Sequence, residues 1–333
     1  MKKYMAYGIG AALVDTEIKV LDAELAHMKV ETGLMTLVDE ARRRELLDHL
    51  QGHLVKASHA SGGSAGNSMI ATAQFGGPTF MSCKVANDSD GDIYLADLEA
   101  AGVDHCFKGD RAPGTTGKCL VLITPDAERS MSTFLGISET LSIEQLDAKA
   151  IAASEYVYIE GYQVTSPTGL AAAIKAREIA EAAGVKTAMS FSDPGMVEFF
   201  RDGIAAIIGK RLDLVFCNEH EALGWAQSDD MDVAVEKLKA IANTFVITCG
   251  GEGALTFDGK ELARIPPHKV EAVDTNGAGD MFAGAFIYAI TRGENFPTAG
   301  RFASLAAGKI VANYGPRLPA ADYGALRREF FGD

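Results

Sequence analysis

The feature that most constrains this chain is a regular alternation of helical and extended segments between residues 142 and 249. Four short apolar stretches predict strands, at 156–160, 185–191, 212–217 and 244–249. Helical spacing predicts the segments around them, at 142–153, 167–183, 194–209 and 231–242. Because a helix that joins two strands returns the chain in the same direction, the alternation predicts a doubly wound, mostly parallel sheet flanked by helices.

The rest of the chain fits the same α/β class with one addition. Residues 4–14 form an apolar run that predicts a buried first strand. Strand-like pieces in 16–38 and 103–135 predict a small β-sheet, inserted in the large domain as a lid. No composition break divides the 333 residues. We therefore expect a single domain over 1–333.

The composition argues against several classes of partner. The formal net charge is −14 and no basic run exceeds three arginines, at 42–44, so nucleic acid is not expected. No apolar stretch approaches the roughly 20 residues of a membrane span. The five cysteines are scattered without zinc-like spacing, which fits free thiols in a reducing cytoplasm. Lys2-Lys3 and the apolar run after them are similar to a signal peptide, but Asp15 and Glu17 follow at once, so export is not expected.

Polar or glycine residues follow several predicted strands directly. Ser192-Asp193, Asn218-Glu219 and Gly250-Gly251 do so in the alternating region. Ligands of open α/β sheets gather at the carboxyl ends of the strands. Asp15 ends the predicted first strand, where a carboxylate could accept hydrogen bonds from sugar hydroxyls. A simple turn acid is the alternative interpretation of Asp15.

The stretch 274–286 predicts an anion site. Gly277 and Gly279 allow backbone amides to approach a ligand, and helical residues follow from Ala278. A helix start directs unpaired N–H groups and the positive end of its dipole at one point, where phosphate binds well. Asp280 is a poor neighbour for phosphate unless it accepts a proton from the attacking group. The stretch therefore predicts phosphoryl transfer, with a first-turn acid that stabilises its own helix as the alternative role for Asp280.

A second glycine cluster stands at 61–68 and leads into a predicted helix that ends near Gln74. Its glycines permit close approach of the backbone to a ligand, and Asn67 supplies both a donor and an acceptor. A flexible loop with a helix cap is the alternative.

Both clusters resemble signatures of the PfkB (ribokinase-like) carbohydrate and nucleoside kinases. D-T-x-G-A-G-D at 274–280, followed by Phe282-Ala283-Gly284, resembles the second signature, and G-G-x-x-x-N, at 62–67, resembles the first. The resemblance implies a ribokinase-like fold. It also implies that Asp280 is the catalytic base and that the amides of Gly277, Ala278 and Gly279 form an anion hole. In the same way it implies that Gly62, Gly63 and Asn67 bind the hydroxyls of the phosphoryl acceptor.

Weaker matches extend the resemblance over most of the chain. N-x-x-E at Asn218 and Glu221 implies a site for Mg²⁺, reached from Glu221 through water. Arg129 resembles a phosphate-contacting arginine of adenosine kinases, and an exposed turn arginine is the alternative. T-x-G-x-x-G implies contacts with the ATP phosphates, and a position near the adenine or a monovalent cation is assigned to Asn313. The residues with these nucleotide roles are Asn218, Thr248, Gly250, Gly251, Gly253 and Asn313.

The resemblance implies an enzyme that uses ATP and Mg²⁺, and it leaves dependence on K⁺ open. The spacing of Asp15 and Ser61 is more like that of adenosine kinases, so a nucleoside is the favoured acceptor and adenosine the first candidate. Leu135, Tyr162, or the lid residues Val20 and Leu37 could supply apolar walls for the base. A sugar kinase for ribose or a related furanose is the first alternative, and an inactive nucleoside-binding regulator is the second. A monomer and a homodimer both remain open.

Overall fold

The structure is a computed structural model that describes residues 2–52, 60–107, 109–126 and 128–332. Two residues of the predicted lid, Lys108 and Ala127, lie outside these ranges. The described residues contain two β-sheets and helices on both sides of the larger one. The helices are α1 (Asp22–Met28), α2 (Glu40–His49), α3 (Ser64–Gln74), α4 (Ser89–Ala100), α5 (Ala148–Ala152), α6 (Pro167–Ala182), α7 (Pro194–Phe199), α8 (Arg201–Ile208), α9 (Glu219–Ala226), α10 (Met231–Ile241), α11 (Ala278–Thr291), α12 (Phe296–Val311) and α13 (Ala320–Phe331).

The large sheet has nine strands among the described residues. In chain order they are β1 (Tyr4–Ile9), β5 (Thr79–Ser82), β6 (Val103–His105), β9 (Ser154–Glu160), β10 (Lys186–Ser190), β11 (Leu212–Asn218), β12 (Ala242–Thr248), β13 (Ala254–Phe257) and β14 (Leu262–Ile265). Their order across the sheet is β14-β13-β12-β11-β10-β9-β1-β5-β6. All neighbours pair in parallel except β12 with β13 and β13 with β14, which form an antiparallel edge. The fold class predicted from the alternation is thus confirmed.

Helices cover both faces of this sheet because its strands are apolar on both sides. Along β9, Tyr158 packs on one face with α3, α4, α11, α12 and α13, whereas Val157 and Ile159 pack on the other with α5 to α10. Burial on both faces is typical of parallel sheets with helical crossovers. Each face forms its own continuous core.

The small sheet contains five strands in the described residues, in the order β3-β8-β7-β2-β4. These strands are β2 (Leu13–Lys19), β3 (Met35–Leu37), β4 (Ala60–Gly62), β7 (Gly117–Ile123) and β8 (Arg129–Phe134). Their positions overlap the predicted lid segments, although β2 and β4 also extend the sheet beyond them. Helices α1 and α2 pack on one face through a separate cluster that includes Ile18, Leu46 and Leu120. The other face is directed toward the large sheet, because its residues line the cavity described below.

Two details of the small sheet correct the sequence analysis. The apolar run 4–14 is not one strand, because β1 ends at Ile9 in the large sheet and β2 starts at Leu13 in the small sheet. Ala11 and Ala12 are buried between them, so the run stays apolar through the break. Asp15 therefore lies inside β2, paired with Cys119 and Ala60, and does not end a strand. Residues 103–105 belong to the large sheet rather than to the lid.

Among the contacts in the described residues that hold the small sheet against the large domain, three lie around the space between the sheets. Arg129 on β8 donates from Nη1 to the carbonyl oxygen of Thr275 at 2.5 Å. The side-chain amide of Asn276 donates to Glu17 on β2 at 3.2 Å. The backbone N–H of Met35 on β3 donates to the carboxylate of Asp193. These contacts surround the space between the two sheets.

The described residues contain no helix that is long and apolar enough to cross a membrane. All five cysteines are free thiols, and Cys83, Cys119 and Cys217 are buried.

Candidate active site

One cavity of about 1060 Å³ lies between the small sheet and the carboxyl ends of the large-sheet strands. It contacts nearly every residue that the sequence analysis selected, from segments more than 200 positions apart. Those that line it are Asp15, Gly63, Asn67, Arg129, Tyr162, Asn218, Glu221, Thr248, Gly250, Gly251, Gly253, Gly277, Ala278, Gly279 and Asp280. The predicted acceptor side and the predicted nucleotide side thus share one space, as transfer between two bound molecules requires.

The start of α11 is open to this cavity. Gly277 precedes the helix with φ of 73°, a conformation that glycine adopts without strain. A methyl group added at Gly279 would meet no protein atom within 4 Å. Within the described part of the chain, the backbone N–H groups of Gly277 and Gly279 have no protein acceptor. Unpaired amides at the positive end of a helix form a site for an anion such as phosphate.

Asp280, in the first turn of α11, is held by two donors from α3. The hydroxyl of Ser64 donates to Oδ1 at 2.6 Å, and Nδ2 of Asn67 donates to Oδ2 at 3.0 Å. Burial raises the pKa of Asp280, although both donors and the charge of Arg129 act in the opposite direction. A carboxylate that is fixed in place and more basic than usual is well suited to accept a proton from a hydroxyl.

The same contact fixes the orientation of the Asn67 side chain. Because a carboxylate only accepts hydrogen bonds, the amide nitrogen must face Asp280 and the carbonyl oxygen must face away. That oxygen, Oδ1, is buried without a protein partner. A buried acceptor without a donor is costly, so this atom is suited to a hydroxyl of a bound molecule.

Asp15 lies on the small-sheet side of the cavity, next to Gly62. A methyl group at Gly62 would lie 2.1 Å from the Asp15 carboxylate, so only glycine fits there. Asp15 is 6% exposed. Gly62 does not itself line the cavity, and its contact with Asp15 is what links it to the site.

Burial raises the pKa of several carboxyl groups around the cavity. It brings the pKa of Asp15 to about 7, aided by the charge of Glu17, and those of Glu160 and Glu221 to about 8. The pKa of Asp193 is also raised by burial. Proton transfer near neutral pH is therefore within reach of several of these groups.

The nucleotide side of the cavity is built from the end of β12 and the turn after it. Thr248 ends the strand, and Gly250 and Gly251 lie in a single 3₁₀ turn. A methyl group added at either glycine would meet no protein atom within 4 Å. Gly253 closes the turn with φ of 93°, and a methyl group there would lie 2.1 Å from the Ile265 carbonyl oxygen. This bare backbone can lie directly against a ligand.

Asn218 and Glu221 form a reciprocal cap at the start of α9. Asn218 donates from its backbone and side-chain nitrogens to the two oxygens of Glu221, at 2.9 and 2.8 Å, and accepts the N–H of Glu221 at 2.8 Å. The N-x-x-E pattern thus has a structural role of its own. The described residues contain no group of three or more His, Cys, Asp or Glu that could hold a metal ion. A magnesium ion bound mainly by phosphates and water is compatible with that, and the role of Glu221 remains a prediction.

Besides Gly62, two predicted residues lie away from the cavity lining. Asn313 is exposed, and its side-chain amide donates to the Lys309 carbonyl at 2.8 Å, so its nucleotide role is a prediction without support from this geometry. Val20 packs in the core beneath α1 and α2. It directly follows β2 and shares that core with Ile18, whose side chain lies on the opposite face of β2 from Asp15, and this corrects its assignment as a wall of the base pocket.

Sequence analysis missed two contributors to the site, Ser64 and Glu160, and noted a third, Ser192, only by its position after a strand. Ser64 lies three positions before Asn67 on the same helix face, and this spacing could have identified it. Glu160 is 1% exposed at the end of β9 and accepts the N–H groups of Ala11 and Ala65 at 3.1 and 3.3 Å. Ser192 has φ of 73° at the end of β10, and its backbone strain is visible only in the structure.

The acceptor side of the cavity has apolar walls from the small sheet. Besides Leu37, Leu135 and Tyr162, the apolar residues that line the cavity include Leu13 on β2, Met35 on β3, Met131 on β8 and Leu34, which directly precedes β3. Flat apolar walls with a few polar groups at one end are typical of a small-molecule site.

A model of the pfkB family carbohydrate kinases matches residues 33–322. The adenosine kinase of Saccharomyces cerevisiae is 28% identical over 324 residues, which cover 92% of this chain and 91% of that protein. Among solved structures, the adenosine kinase from Sinorhizobium meliloti superposes with a TM-score of 0.92 and 32% identity, over 98% of this chain and 99% of that one. A probable sugar kinase from Rhizobium etli gives a TM-score of 0.93 and 31% identity, over 99% of each chain.

Proposed function

The chain belongs to the pfkB family of carbohydrate kinases, which are phosphotransferases acting on hydroxyl groups, and on this basis we propose that its acceptor is a nucleoside. The reaction transfers the γ-phosphoryl group of ATP to the 5′-hydroxyl of the nucleoside, and adenosine is the favoured acceptor. The observation that carries this proposal is the shared cavity in which Asp280, held by Ser64 and Asn67, stands at the open start of α11.

The acceptor lies on the small-sheet side of Asp280. Asp15 accepts hydrogen bonds from the ribose hydroxyls, and the free oxygen of Asn67 accepts another. The apolar walls of the small sheet enclose the base. Closure of the small sheet excludes water, which would otherwise compete as the acceptor.

Asp280 takes the proton of the 5′-hydroxyl as its oxygen attacks the γ-phosphorus, and ADP leaves with the bridging oxygen. The amides of Gly277 and Gly279 stabilise the charge on the transferring group together with that of Ala278, which donates to the Thr275 carbonyl oxygen at 3.3 Å in the structure, and Arg129 adds its positive charge from the small sheet. One preorganised donor of this kind contributes about 3–4 kcal/mol to lowering a barrier. Positioning and charge stabilisation together provide most of the catalysis in such transfers.

ATP lies along the bare turn at 248–253, with its phosphates toward α11. Magnesium, when bound with the nucleotide, would neutralise phosphate charge. Asn218 and Glu221 are the residues that would hold it, through water.

Similarity to adenosine kinases in sequence and in structure supports a nucleoside acceptor, as do the apolar walls. The similarity to a probable sugar kinase favours a second candidate, a free furanose such as ribose. A free sugar would leave the apolar walls uncovered, and for this reason we favour the nucleoside.

The test is ADP formation with ATP and Mg²⁺ against adenosine, inosine, guanosine, cytidine, ribose, fructose and fructose 6-phosphate. We expect the highest kcat/KM with adenosine. Activity with ribose alone would overturn the nucleoside assignment and leave the phosphotransferase assignment intact. Calorimetry provides the binding control, since micromolar binding of ribose without binding of adenosine would have the same consequence.

A further inference from the structure

The connection between α12 and α13, residues 312–319, contacts both glycine-rich loops of the site, and we call it the connector. Toward the anion site, the backbone N–H of Gly315 donates to Oδ2 of Asp274 at 2.9 Å. The next residue, Pro316, packs against Gly277, where an added methyl group would lie 2.5 Å from the Pro316 carbonyl oxygen. The connector therefore supports the loop that leads into α11.

Toward the acceptor side, the connector acts through Arg317. Its Nη2 donates to the carbonyl oxygen of Ser61 at 2.5 Å and lies 2.7 Å from Oδ2 of Asp97 on α4. The side chain of Arg317 is only 14% exposed. A guanidinium that is largely enclosed and bonded in two directions holds its partners in a defined geometry.

Asp97 completes the arrangement around Ser61. The same oxygen of Asp97 accepts the backbone N–H of Ser61 at 3.0 Å and also its hydroxyl. Burial acts to raise the pKa of Asp97, but the charge of Arg317 and the donors on Ser61 outweigh it, so this pKa lies below its ordinary value. Both the N–H and the C=O of Ser61 are thus bound by one Arg–Asp pair.

Ser61 is the residue from which the acceptor loop extends. Gly62 follows and packs on Asp15, and Gly63 then caps α3, whose first turn carries Ser64 and Asn67. A shift of Ser61 would therefore move the groups that contact both the acceptor and Asp280. A displacement of about 1 Å between reacting groups can lower a rate by about 100-fold.

We propose that Arg317, paired with Asp97, is a positioning residue that fixes the acceptor loop at 61–67 relative to the anion loop at 274–280. It does not touch the reacting atoms. The connector joins the two loops because one short segment contacts both, through Gly315 and Pro316 on one side and Arg317 on the other. The kinetic part of this inference rests on the proposed function, whereas its structural part does not.

The kinetic experiment compares Arg317→Gln, Arg317→Lys and Asp97→Asn with the wild type, with adenosine and ATP varied in turn. Arg317→Gln should lower kcat/KM for adenosine by at least about tenfold and leave the KM for ATP within about twofold. Arg317→Lys keeps the charge and should recover part of the loss. The double variant Arg317→Gln/Asp97→Asn should have nearly the same kcat/KM as Arg317→Gln alone, because both changes remove the same interaction.

The matched control is Arg301→Gln, which removes an exposed arginine on α12 whose contact is with Thr298 in its own helix. It should leave both KM values and kcat unchanged. If Arg317→Gln raised the KM for ATP by as large a factor as it lowered kcat/KM for adenosine, and Arg317→Lys recovered nothing, the cause would be general destabilisation. That result would overturn the proposal.

Hydrogen exchange separates this inference from the proposed function. In Arg317→Gln, amides in 61–67 should exchange at least about tenfold faster than in wild type while the melting temperature of the whole chain changes little. Unchanged exchange at 61–67 would overturn the positioning role, whatever the reaction. Faster exchange in a protein that phosphorylates nothing on the panel would support the positioning role and overturn the proposed reaction.

Discussion

The starts of α3 and α11 are both rich in glycine and pack against each other, yet they differ in what they offer a ligand. The two helices are in close contact, since Gly284 lies on the backbone of Ser68 and accepts a hydrogen bond from Thr72 at 2.9 Å. At the start of α3, the protein itself occupies the amide end, because Glu160 accepts the N–H of Ala65. At the start of α11, the amide end faces the cavity.

This difference separates two tasks that a transfer site must perform. At the α3 start a protein carboxylate, Glu160, already accepts the Ala65 N–H, and the first turn holds Ser64 and Asn67 against Asp280. The α11 start keeps its donors for a ligand that arrives with negative charge. Similar sequences at two helix starts therefore give a rigid support in one case and a binding site in the other.

The largest expected effect comes from the residue at which the two helix starts meet. Asp280→Asn keeps the shape of the side chain but removes the base, so turnover should fall by at least about 100-fold. Binding of ATP, measured by calorimetry, should change little because the amides remain. Asp322→Asn, at an exposed position on α13, is the matched control and should have wild-type turnover. Equal turnover in Asp280→Asn would mean that another group accepts the proton.

The openness of the α11 start can be tested by adding a methyl group at its two glycines. At Gly279 the methyl group enters empty space, so Gly279→Ala should fold normally but lose roughly 10- to 100-fold in turnover as the phosphoryl group is displaced from its donors. At Gly277 it would meet Pro316 at positive φ, so Gly277→Ala should lose about 2 kcal/mol or more of stability. Thermal unfolding with steady-state kinetics checks both, and a stable Gly277→Ala with full activity would contradict the geometry.

The support from α3 can be weakened without touching α11. Ser64→Ala removes the 2.6 Å donor to Asp280, which acts to lower the pKa of that carboxyl. The pKa should therefore rise in the variant, and the acidic limb of the pH–rate profile should move to higher pH, with a loss of about tenfold near neutrality. If turnover fell but the acidic limb of the pH–rate profile did not move, Ser64 would act on the acceptor and not on the base.

The smallest effect on turnover, and a distinct effect on stability, is expected at Glu160. Burial raises its pKa in the folded state to about 8, above the ordinary value of 4.5. The folded state thus holds the proton more tightly, so this contribution to stability is complete below about pH 4.5 and is lost as the pH rises toward 8. Glu160→Gln cannot titrate, and its stability should fall less between pH 5 and 8 than that of wild type, by at most about 1.4 kcal/mol per pKa unit.

Denaturant unfolding at several pH values measures this difference. Glu144→Gln, on an exposed turn, is the control that should keep the wild-type pH dependence. Identical slopes for Glu160→Gln and wild type would contradict the raised pKa of Glu160.

Much of the fold and the central part of the site could be predicted from the sequence. The large sheet followed from the alternation of strands and helices, because periodicity is a local property of consecutive residues. The roles of 277–280 and of Asn67 were predicted from compact motifs, and the structure brings those residues together at one cavity. Local motifs of this kind carry their own backbone geometry.

Other parts depended on contacts between distant segments. Asp15 lies within the small sheet rather than at a strand end, because the buried alanines between β1 and β2 hide the change of sheet. Asn313 lies just beyond the end of α12, and its side-chain amide donates back to the Lys309 backbone carbonyl oxygen at 2.8 Å. No repeating pattern of residues along the chain indicates either the position of Asp15 or the contact of Asn313.

By itself, then, the sequence determined the α/β class and predicted an anion loop at 277–279 with Asp280 as the base, since each depends on neighbours in the chain. Only the tertiary structure decided that Ser64 and Asn67 hold Asp280, that Glu160 occupies the start of α3, and that Arg317 holds Ser61. These pairs join residues about 95 to 256 positions apart. Their geometry arises from the packing of the two sheets and their helices, and the spacing of residues along the chain does not predict it.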